Sequence, residues 1–435
     1  MFWRRVEITA KLLADAVRFA TLSRAAKQQP GRHLILLARN LPPMVHGGVY
    51  RLGSIVRMAV DAGWRVSVVT NEPHGSLSDA GFELAAKMPE QAKLYRWRAG
   101  DEDRNHFWNI SPGVSGGFSS IRRIVDEASL LLTASPEAVI VASGPTYAEF
   151  IAAYVLARKF GVPYVLDYRD EWTGSDFGFV ERGHTDRFWE RRCCADAARI
   201  VFATDGIRRH HHHATFPNLR TTLSTTIRNG WDTLPAVDST LADTTETSSV
   251  RDLVVGYFGF ILPEMEFGEF ARTLSIALTR DPVLAARFSL NIYGRMIPHD
   301  IAVARALMSD DEQFHFGGLV PQSIAVAKMA QCSALLLLNS PATHLAIPGK
   351  TYDYIASRRP VLLYGEGGET DEILRPLGGV VRVPRGDPAA LAVALHEILA
   401  GHAERQAVQS GPAYANSLRR SERNAEWLEV LESLL

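Results

Sequence analysis

Cysteine is scarce in this sequence: Cys193, Cys194 and Cys332 form no C-x-x-C pair, and an odd one is left over. A disulfide framework and a zinc ribbon are therefore excluded, and the expected compartment is reducing and cytoplasmic. Long apolar runs are missing as well. No stretch approaches the roughly 18 to 20 residues of a spanning helix, and Leu335 to Leu338 is only a short strand-like run. Net charge is absent: 47 Lys plus Arg offset 48 Asp plus Glu, so nothing global points to a nucleic-acid partner and any charged ligand must be met locally. Neither G-x-G-x-x-G nor G-x-x-x-x-G-K-[ST] occurs, which removes the dinucleotide fingerprint and the phosphate loop. His210 to His213 have no carboxylate-histidine spacing beside them, so they read as solvated surface and no metal site is expected.

What is present is enough apolar material, 46% of 435 residues, for two cores. From His33 onward an apolar strand, a turn and an amphipathic helix repeat: Leu34 to Ala38, Gly47 to Ala62, Arg65 to Thr70, then Ala138 to Ala142, Tyr147 to Phe160 and Pro163 to Asp167. After a stretch poor in large apolar residues, the alternation resumes at Leu253 to Phe258 and runs through Phe288 to Tyr293, Ala334 to Leu338, Val361 to Tyr364 and Val380 to Val383. The fold class expected is α/β, with two doubly wound Rossmann-like domains facing a cleft. The boundaries read as an N-terminal amphipathic helix at 1–30, a first domain at 31–235, a linker at 236–250, a second domain at 251–415 and a C-terminal helix at 416–435 that packs elsewhere, for instance on the first domain. In the N-terminal segment Val6, Leu13, Val17 and Ala20 recur near helical spacing with Lys11, Arg18 and Arg24 between them. It is too interrupted for a secretory signal, and such a helix either packs on its own protein or lies on an anionic membrane.

Ends of strands carry the candidate chemistry. Gly47 and Gly48 leave the first strand and open a helix, where bare backbone N-H groups and the helix N-terminus suit a phosphate. Gly349, Lys350, Thr351 and Asp353 begin another helix; Lys350 offers a point charge to a phosphate and Asp353 can accept from ribose hydroxyls, although a solvated first turn explains the pair equally well. Gly259 and Gly294 end neighbouring strands, and Arg295 after the second can grip a diphosphate bidentately or be a plain surface arginine. Asp167, Arg169, Asp170 and Trp172 cluster at the end of a first-domain strand, with Ser143 at another. These suit acceptor hydroxyls, with Asp170 as candidate base; a structural ion pair and a cap are the alternatives. The Cys193-Cys194 pair reads as packing.

In its order of motifs the chain resembles the GT-B glycosyltransferases of the large retaining group often called family four, from His33 to about Leu399. The pieces that carry the resemblance are Gly47-Gly48, Asp167 to Trp172, Arg228 to Asp232, Gly349 to Pro360 and Arg385 to Leu391. It implies that Gly48 approaches a donor diphosphate and that Asp353 binds the ribose. The family's earlier glutamate, eight positions before that carboxylate, is Leu345 here, and Phe260 and Glu264 lie where its phosphate-binding arginine and lysine fall. Arg295 and Lys350 are expected to replace the lost charge. The resulting expectation is a metal-independent glycosyltransferase without a cofactor. Its co-substrate is a nucleoside diphosphate sugar and its acceptor a glycan or a lipid-linked sugar, in cell-surface polysaccharide or glycoconjugate synthesis at the inner face of the membrane. An epimerase or hydrolase on the same fold, or an inactive nucleotide-sugar-binding scaffold, are the rivals.

Overall fold

A computed structural model describes residues 2–45, 47–73, 77–98, 112–114, 117–180, 182–217, 223–232, 251–308, 312–409 and 411–435. The chain divides into two compact units, Met1–Arg228 with Glu422–Leu435, and Asn229–Ser421. The linker expected at 236–250 lies outside the described residues.

The first unit begins with helix α1 (Phe2–Ala20) and alternates β1 (His33–Ala38), α2 (Val49–Asp61), β2 (Arg65–Asn71), α3 (Asp79–Ala86), β3 (Lys93–Trp97), α4 (Gly117–Ala134), β4 (Ala138–Gly144), α5 (Ala148–Phe160), β5 (Tyr164–Tyr168), α6 (Asp186–Asp196), β6 (Arg199–Phe202), α7 (Asp205–His210) and β7 (Ser224–Thr226). The strands are parallel in the order β3-β2-β1-β4-β5-β6-β7, so the winding reverses between β1 and β4. Strands β1, β4 and β5 are buried along their whole length, because helices cover both faces of a parallel sheet; that is why they read as unbroken apolar runs. Chain punctuation follows the side chains. Ser78 and Thr204 cap α3 and α7 by accepting from the N-H groups of Gly81 and Ile207. Gly161 ends α5 at φ 76°, where a Cβ would sit 1.8 Å from the Ala26 carbonyl oxygen.

The second unit runs through β8 (Leu253–Phe260), α8 (Phe267–Arg280), α9 (Pro282–Arg287), β9 (Phe288–Arg295), α10 (Pro298–Leu307), β10 (Phe314–Gly318), α11 (Gln322–Gln331), β11 (Ala334–Leu338), α12 (Gly349–Ser357), β12 (Val361–Tyr364), α13 (Gly368–Leu374), β13 (Val380–Val383), α14 (Pro388–Leu399), α15 (His402–Gln409), α16 (Pro412–Ser417) and the start of α17 (Arg420–Glu432). Its parallel order is β10-β9-β8-β11-β12-β13, with the reversal between β8 and β11. Both units are thus doubly wound α/β sheets.

Two terminal helices pack on the first unit. Helix α1 buries Leu12 and Phe19, sets Phe19 6.1 Å from Phe118 of α4, and pairs Asp15 with Arg122 at 3.2 Å, while Leu13 and Val17 remain exposed. Helix α17 adds Trp427 and Leu431 to the core that contains Leu34, Val139 and Val165. Beneath Trp427 lies an ion pair. Arg51 of α2 is 3% exposed and donates through Nη2 to Asp167 Oδ1 at 2.8 Å and through Nη1 to the Ile227 carbonyl at 2.7 Å, with its guanidinium 5.2 Å from the Trp427 ring centroid. Ser143 of β4 donates to the other Asp167 oxygen at 2.8 Å.

Removing one partner of a buried pair strands the other charge. Arg51→Met is therefore expected to lower the unfolding free energy by about 3–5 kcal/mol in urea titration, and the double variant Arg51→Met, Asp167→Leu to recover most of that loss. A loss under about 1 kcal/mol in the single variant would show that the pair does not hold these elements together.

Candidate functional site

Ligands of open α/β sheets bind outside the carboxyl ends of the strands where the winding reverses. In the first unit that is the edge formed by the ends of β1, β4 and β5. Arg169, just past β5, donates through Nε to the Gly144 carbonyl at 3.0 Å and through Nη2 to the Pro145 carbonyl. Its remaining amino group fills the space beside Gly48, where a Cβ would lie 1.2 Å from Nη1. Gly48 is thus a glycine because a guanidinium lies against it. At Gly47 a Cβ would meet no atom within 4 Å, so its backbone is open. Asp170 follows Arg169; burial pushes its carboxyl up to about 6 against the opposing charge of Arg169. Tyr147 fixes this loop by donating to the carbonyls of Asp170 and Glu171 at 2.9 and 2.7 Å.

Three residues expected to face an acceptor are interior instead. Asp167 and Ser143 are fully buried and bonded to each other, and Asp167 also to Arg51, so the polar cluster at the end of β5 is partly a structural ion pair. Trp172 is also fully buried. It stacks on Tyr147 with centroids 5.0 Å apart and donates to Asp186 at 3.2 Å, so it supports the loop and offers no face to a ligand. Nor is the histidine run simply solvated. His211 has no exposed surface, lies 3.6 Å from Glu190 and sits among the rings of Tyr168, Phe202 and Phe216, within a π-helical turn at His211–Thr215. Cys193 and Cys194 are buried.

Sequence reasoning missed Glu149, 1% exposed at the first turn of α5, whose Oε2 accepts from Thr146 at 3.0 Å. The signal was a Ser/Thr-x-x-Glu box, here Thr146 to Glu149, at the start of an apolar run. Burial raises its carboxyl to about 7, offset by its own backbone N-H, Arg39, Thr146 and Arg169.

The second unit presents the corresponding edge at the ends of β8, β9 and β11. Gly259 and Gly294 pair in register, and a Cβ on Gly294 would lie 1.8 Å from the Gly259 carbonyl oxygen. Both have positive φ, 116° and 155°, so two bare backbones close against one another. Next to them Arg295 is exposed, its guanidinium 5.0 Å above the Phe260 ring. Lys350 reaches back under Gly259 from the first turn of α12. Its Nζ contacts the Tyr257 hydroxyl, donates to the Phe260 carbonyl at 3.2 Å and lies 3.9 Å from the Tyr257 ring centroid. Burial lowers its pKa to about 7, so Lys350 is not a solvated first-turn lysine. Gly349 is open, with no atom within 4 Å of a would-be Cβ, and α12 has no side-chain cap. Thr351 is fully buried and its hydroxyl has no hydrogen-bond partner among the described residues. Asp353 is held up to about 6 by burial, with Arg420 opposing and Asp232 adding to the shift; Arg420 itself pairs with Asp232 at 2.9 Å. Arg385 is spoken for, bound to Glu266 at 2.6 Å and Glu269 at 2.9 Å. Gly259, Gly294, Arg295 and Lys350 therefore share one edge, with the N-terminus of α12 carrying Asp353 one turn inward. Among the described residues no three His, Cys, Asp or Glu side chains are grouped to hold a metal.

Residues 46–224 match the family model of the glycosyl transferase 4-like domain. No curated protein matches the chain. Among solved structures it is similar to sucrose-phosphate synthase from Thermosynechococcus elongatus, at TM-score 0.71 and 14% identity over 93% of this chain and 99% of that one. It is also similar to Anabaena HepE crystallised with UDP and glucose, at TM-score 0.65 and 14% identity over 92% and 99%. A third is α,α-trehalose 6-phosphate synthase from Burkholderia multivorans, at TM-score 0.65 and 11% identity over 93% and 99%. The fold is that of the GT-B glycosyltransferases.

Glu149 sets a pH test. Its folded pKa lies above the ordinary 4.5, so the stability it contributes is complete below about pH 4.5 and is lost as pH rises through about 7. Glu149→Gln is expected to match the wild type near pH 4.5 and to exceed it at pH 8 by at most about 3 kcal/mol in denaturant unfolding. A difference that does not change with pH would show that Glu149 is not held protonated by burial.

Proposed function

We propose that this protein transfers a glycosyl group from a nucleoside diphosphate sugar to a glycan or lipid-linked acceptor, in cell-surface polysaccharide or glycoconjugate synthesis. The observation that carries the reading is the edge of the second unit, where paired glycine backbones, the exposed Arg295, the enclosed Lys350 and the uncapped start of α12 converge. Bare N-H groups and two cations are what a diphosphate needs, and they suit it more as a leaving group gaining charge than as a bound ester. In this reading Gly259, Gly294 and Gly349 let the diphosphate approach the backbone, and Arg295 and Lys350 neutralise it. The Thr351 hydroxyl is a spare donor near the helix start, and Asp353 takes the ribose hydroxyls. Lys350 regains its charge when an anion arrives, since an opposite charge nearby favours the protonated amine.

The bond from the sugar's anomeric carbon to the diphosphate oxygen breaks as the acceptor oxygen attacks. With retention, the attack comes from the face the diphosphate leaves, and the acceptor proton passes to the departing phosphate oxygen, without an enzyme nucleophile. On the first unit, Gly47 offers open backbone at the start of α2, Arg169 a cation lying against Gly48, and Asp170 a carboxyl group that can hold the acceptor hydroxyl by a hydrogen bond. Charge neutralisation is assigned to these side chains and not to a protein-held metal. Helix α1 is proposed to touch an anionic membrane at the cytoplasmic face, through exposed Leu13 and Val17 flanked by Lys11 and Arg18.

A panel of nucleoside diphosphate sugars, incubated in excess chelator with and without lipid-linked acceptors, tests the reading. Acceptor-dependent release of one nucleoside diphosphate is expected. Lys350→Met should cut kcat about 100-fold or more, whereas Asp353→Asn should mainly raise the donor KM. Donor turnover without acceptor would favour an epimerase or hydrolase. Nucleotide binding with no turnover would favour an inactive scaffold, for which Phe260 and Glu264 in place of the expected cations is the supporting feature.

A further inference from the structure

Helix α6 carries its charges in an unusual arrangement. Asp186 and Glu190 point inward and are fully buried: Asp186 accepts from the N-H groups of Gly113 and Gly183 at 2.7 Å each, and Glu190 from the Tyr168 hydroxyl at 3.0 Å and the Thr173 N-H at 3.1 Å. Its arginines face the other way. Arg187, Arg191 and Arg192 line an open groove of about 670 Å3 together with Phe188, Thr215 and Phe216, and among the described residues no acidic side chain lines it. Arg187 donates to the Thr215 carbonyl at 2.8 Å and lies 5.4 Å from the Phe216 ring centroid. Arg192 lies 4.7 Å from the Phe188 ring centroid and donates at 3.0 Å to the carbonyl of Ala20, the last residue of α1. Arg191 is exposed and has no partner among the described residues. A guanidinium has five N-H donors, so all three retain donors for a ligand. Phe188 is 48% exposed beside them.

We propose that this groove seats the phosphate of an anionic lipid at a membrane surface, with the Phe188 ring entering the boundary between headgroups and acyl chains. The groove joins uncompensated positive charge to an exposed apolar ring, and a lipid satisfies both, whereas a soluble phosphate would leave the ring in water. Its open form suits a surface more than an enclosed small molecule. Contact between Arg192 and the Ala20 carbonyl places the groove beside the C-terminal end of α1. The proposal shares the membrane premise of the functional reading and none of its donor or acceptor chemistry.

Flotation of the full chain with phosphatidylcholine vesicles, and with vesicles that also contain phosphatidylglycerol, is the test. Wild type is expected to float only with the anionic vesicles, and less so as salt rises. At roughly 1 kcal/mol per basic residue near such a surface, Arg191→Gln should weaken binding about fivefold and Arg187→Gln with Arg191→Gln about thirtyfold. Phe188→Ser should weaken it as well, and the charge-matched pair Lys93→Gln with Arg123→Gln much less. Thermal unfolding identifies any variant that has lost its fold, and Arg191→Gln touches no partner in the protein. Equal binding by the groove variants and the charge-matched pair overturns the assignment. So does absence of flotation while glycerol 3-phosphate protects the wild type against heat, since that assigns the groove to a soluble ester. Nucleoside diphosphate should raise the unfolding temperature equally in all variants, so failure at the groove and failure at the donor edge are read separately.

Discussion

The first unit depends on one buried ion pair. The Arg51 guanidinium and the Asp167 carboxylate meet where α2, β4, β5, the segment after β7 and α17 come together, and each of these elements contributes a bond or a ring to it. Charges taken so far out of water persist only when nearly every donor and acceptor is used. Here the carboxylate takes the guanidinium and the Ser143 hydroxyl, while the guanidinium also reaches the Ile227 carbonyl. Because Asp167 is pinned, Arg169 and Asp170 two and three residues later leave the sheet at a fixed point. Arg169 can then bridge the loop after β4 and the start of α2, and only a glycine at position 48 leaves room for it. A burial constraint at the bottom of the edge thus sets the geometry of its top.

In the second unit, backbone proximity takes the place of an ion pair. Gly294 abuts Gly259 so closely that a side chain there would strike the Gly259 carbonyl, and Lys350 occupies the space beside Gly259. Its amine gives up hydration there and makes contacts only to a hydroxyl, a carbonyl and a ring, all neutral. An amine buried without a counterion favours an arriving anion, because the opposite charge nearby restores its protonated form.

Residues differ in how far sequence exposes them. The strands β1, β4, β8 and β11 were legible because doubly covered parallel strands must be apolar throughout. Helix starts at Gly48 and Gly349 were legible from glycine after a strand. Contacts across long separations were not. Nothing near Asp167 announces that Arg51, 116 positions earlier, neutralises it, so a structural carboxylate looked like part of a site. Trp172 read as part of the acceptor side for the same reason, since its stacking partner Tyr147 belongs to another element. Strand-end glycines stood out individually, but their mutual contact depends on register, which no local pattern fixes. Glu149 sits in an apolar stretch with nothing local but its spacing from Thr146 to mark it, and burial, the property that sets it apart, is a feature of packing alone.

The account rests on the glycine-lined, cationic edge of the second unit as a nucleoside diphosphate site. Hydrogen–deuterium exchange of the full chain, with and without each common nucleoside diphosphate, addresses it most directly. The account predicts that one nucleotide slows exchange in peptides covering residues 256–261, 293–296 and 347–355 together, because its phosphates bind those backbone N-H groups. Unchanged exchange in all three segments with every nucleotide, or protection confined to other strand ends, would contradict it.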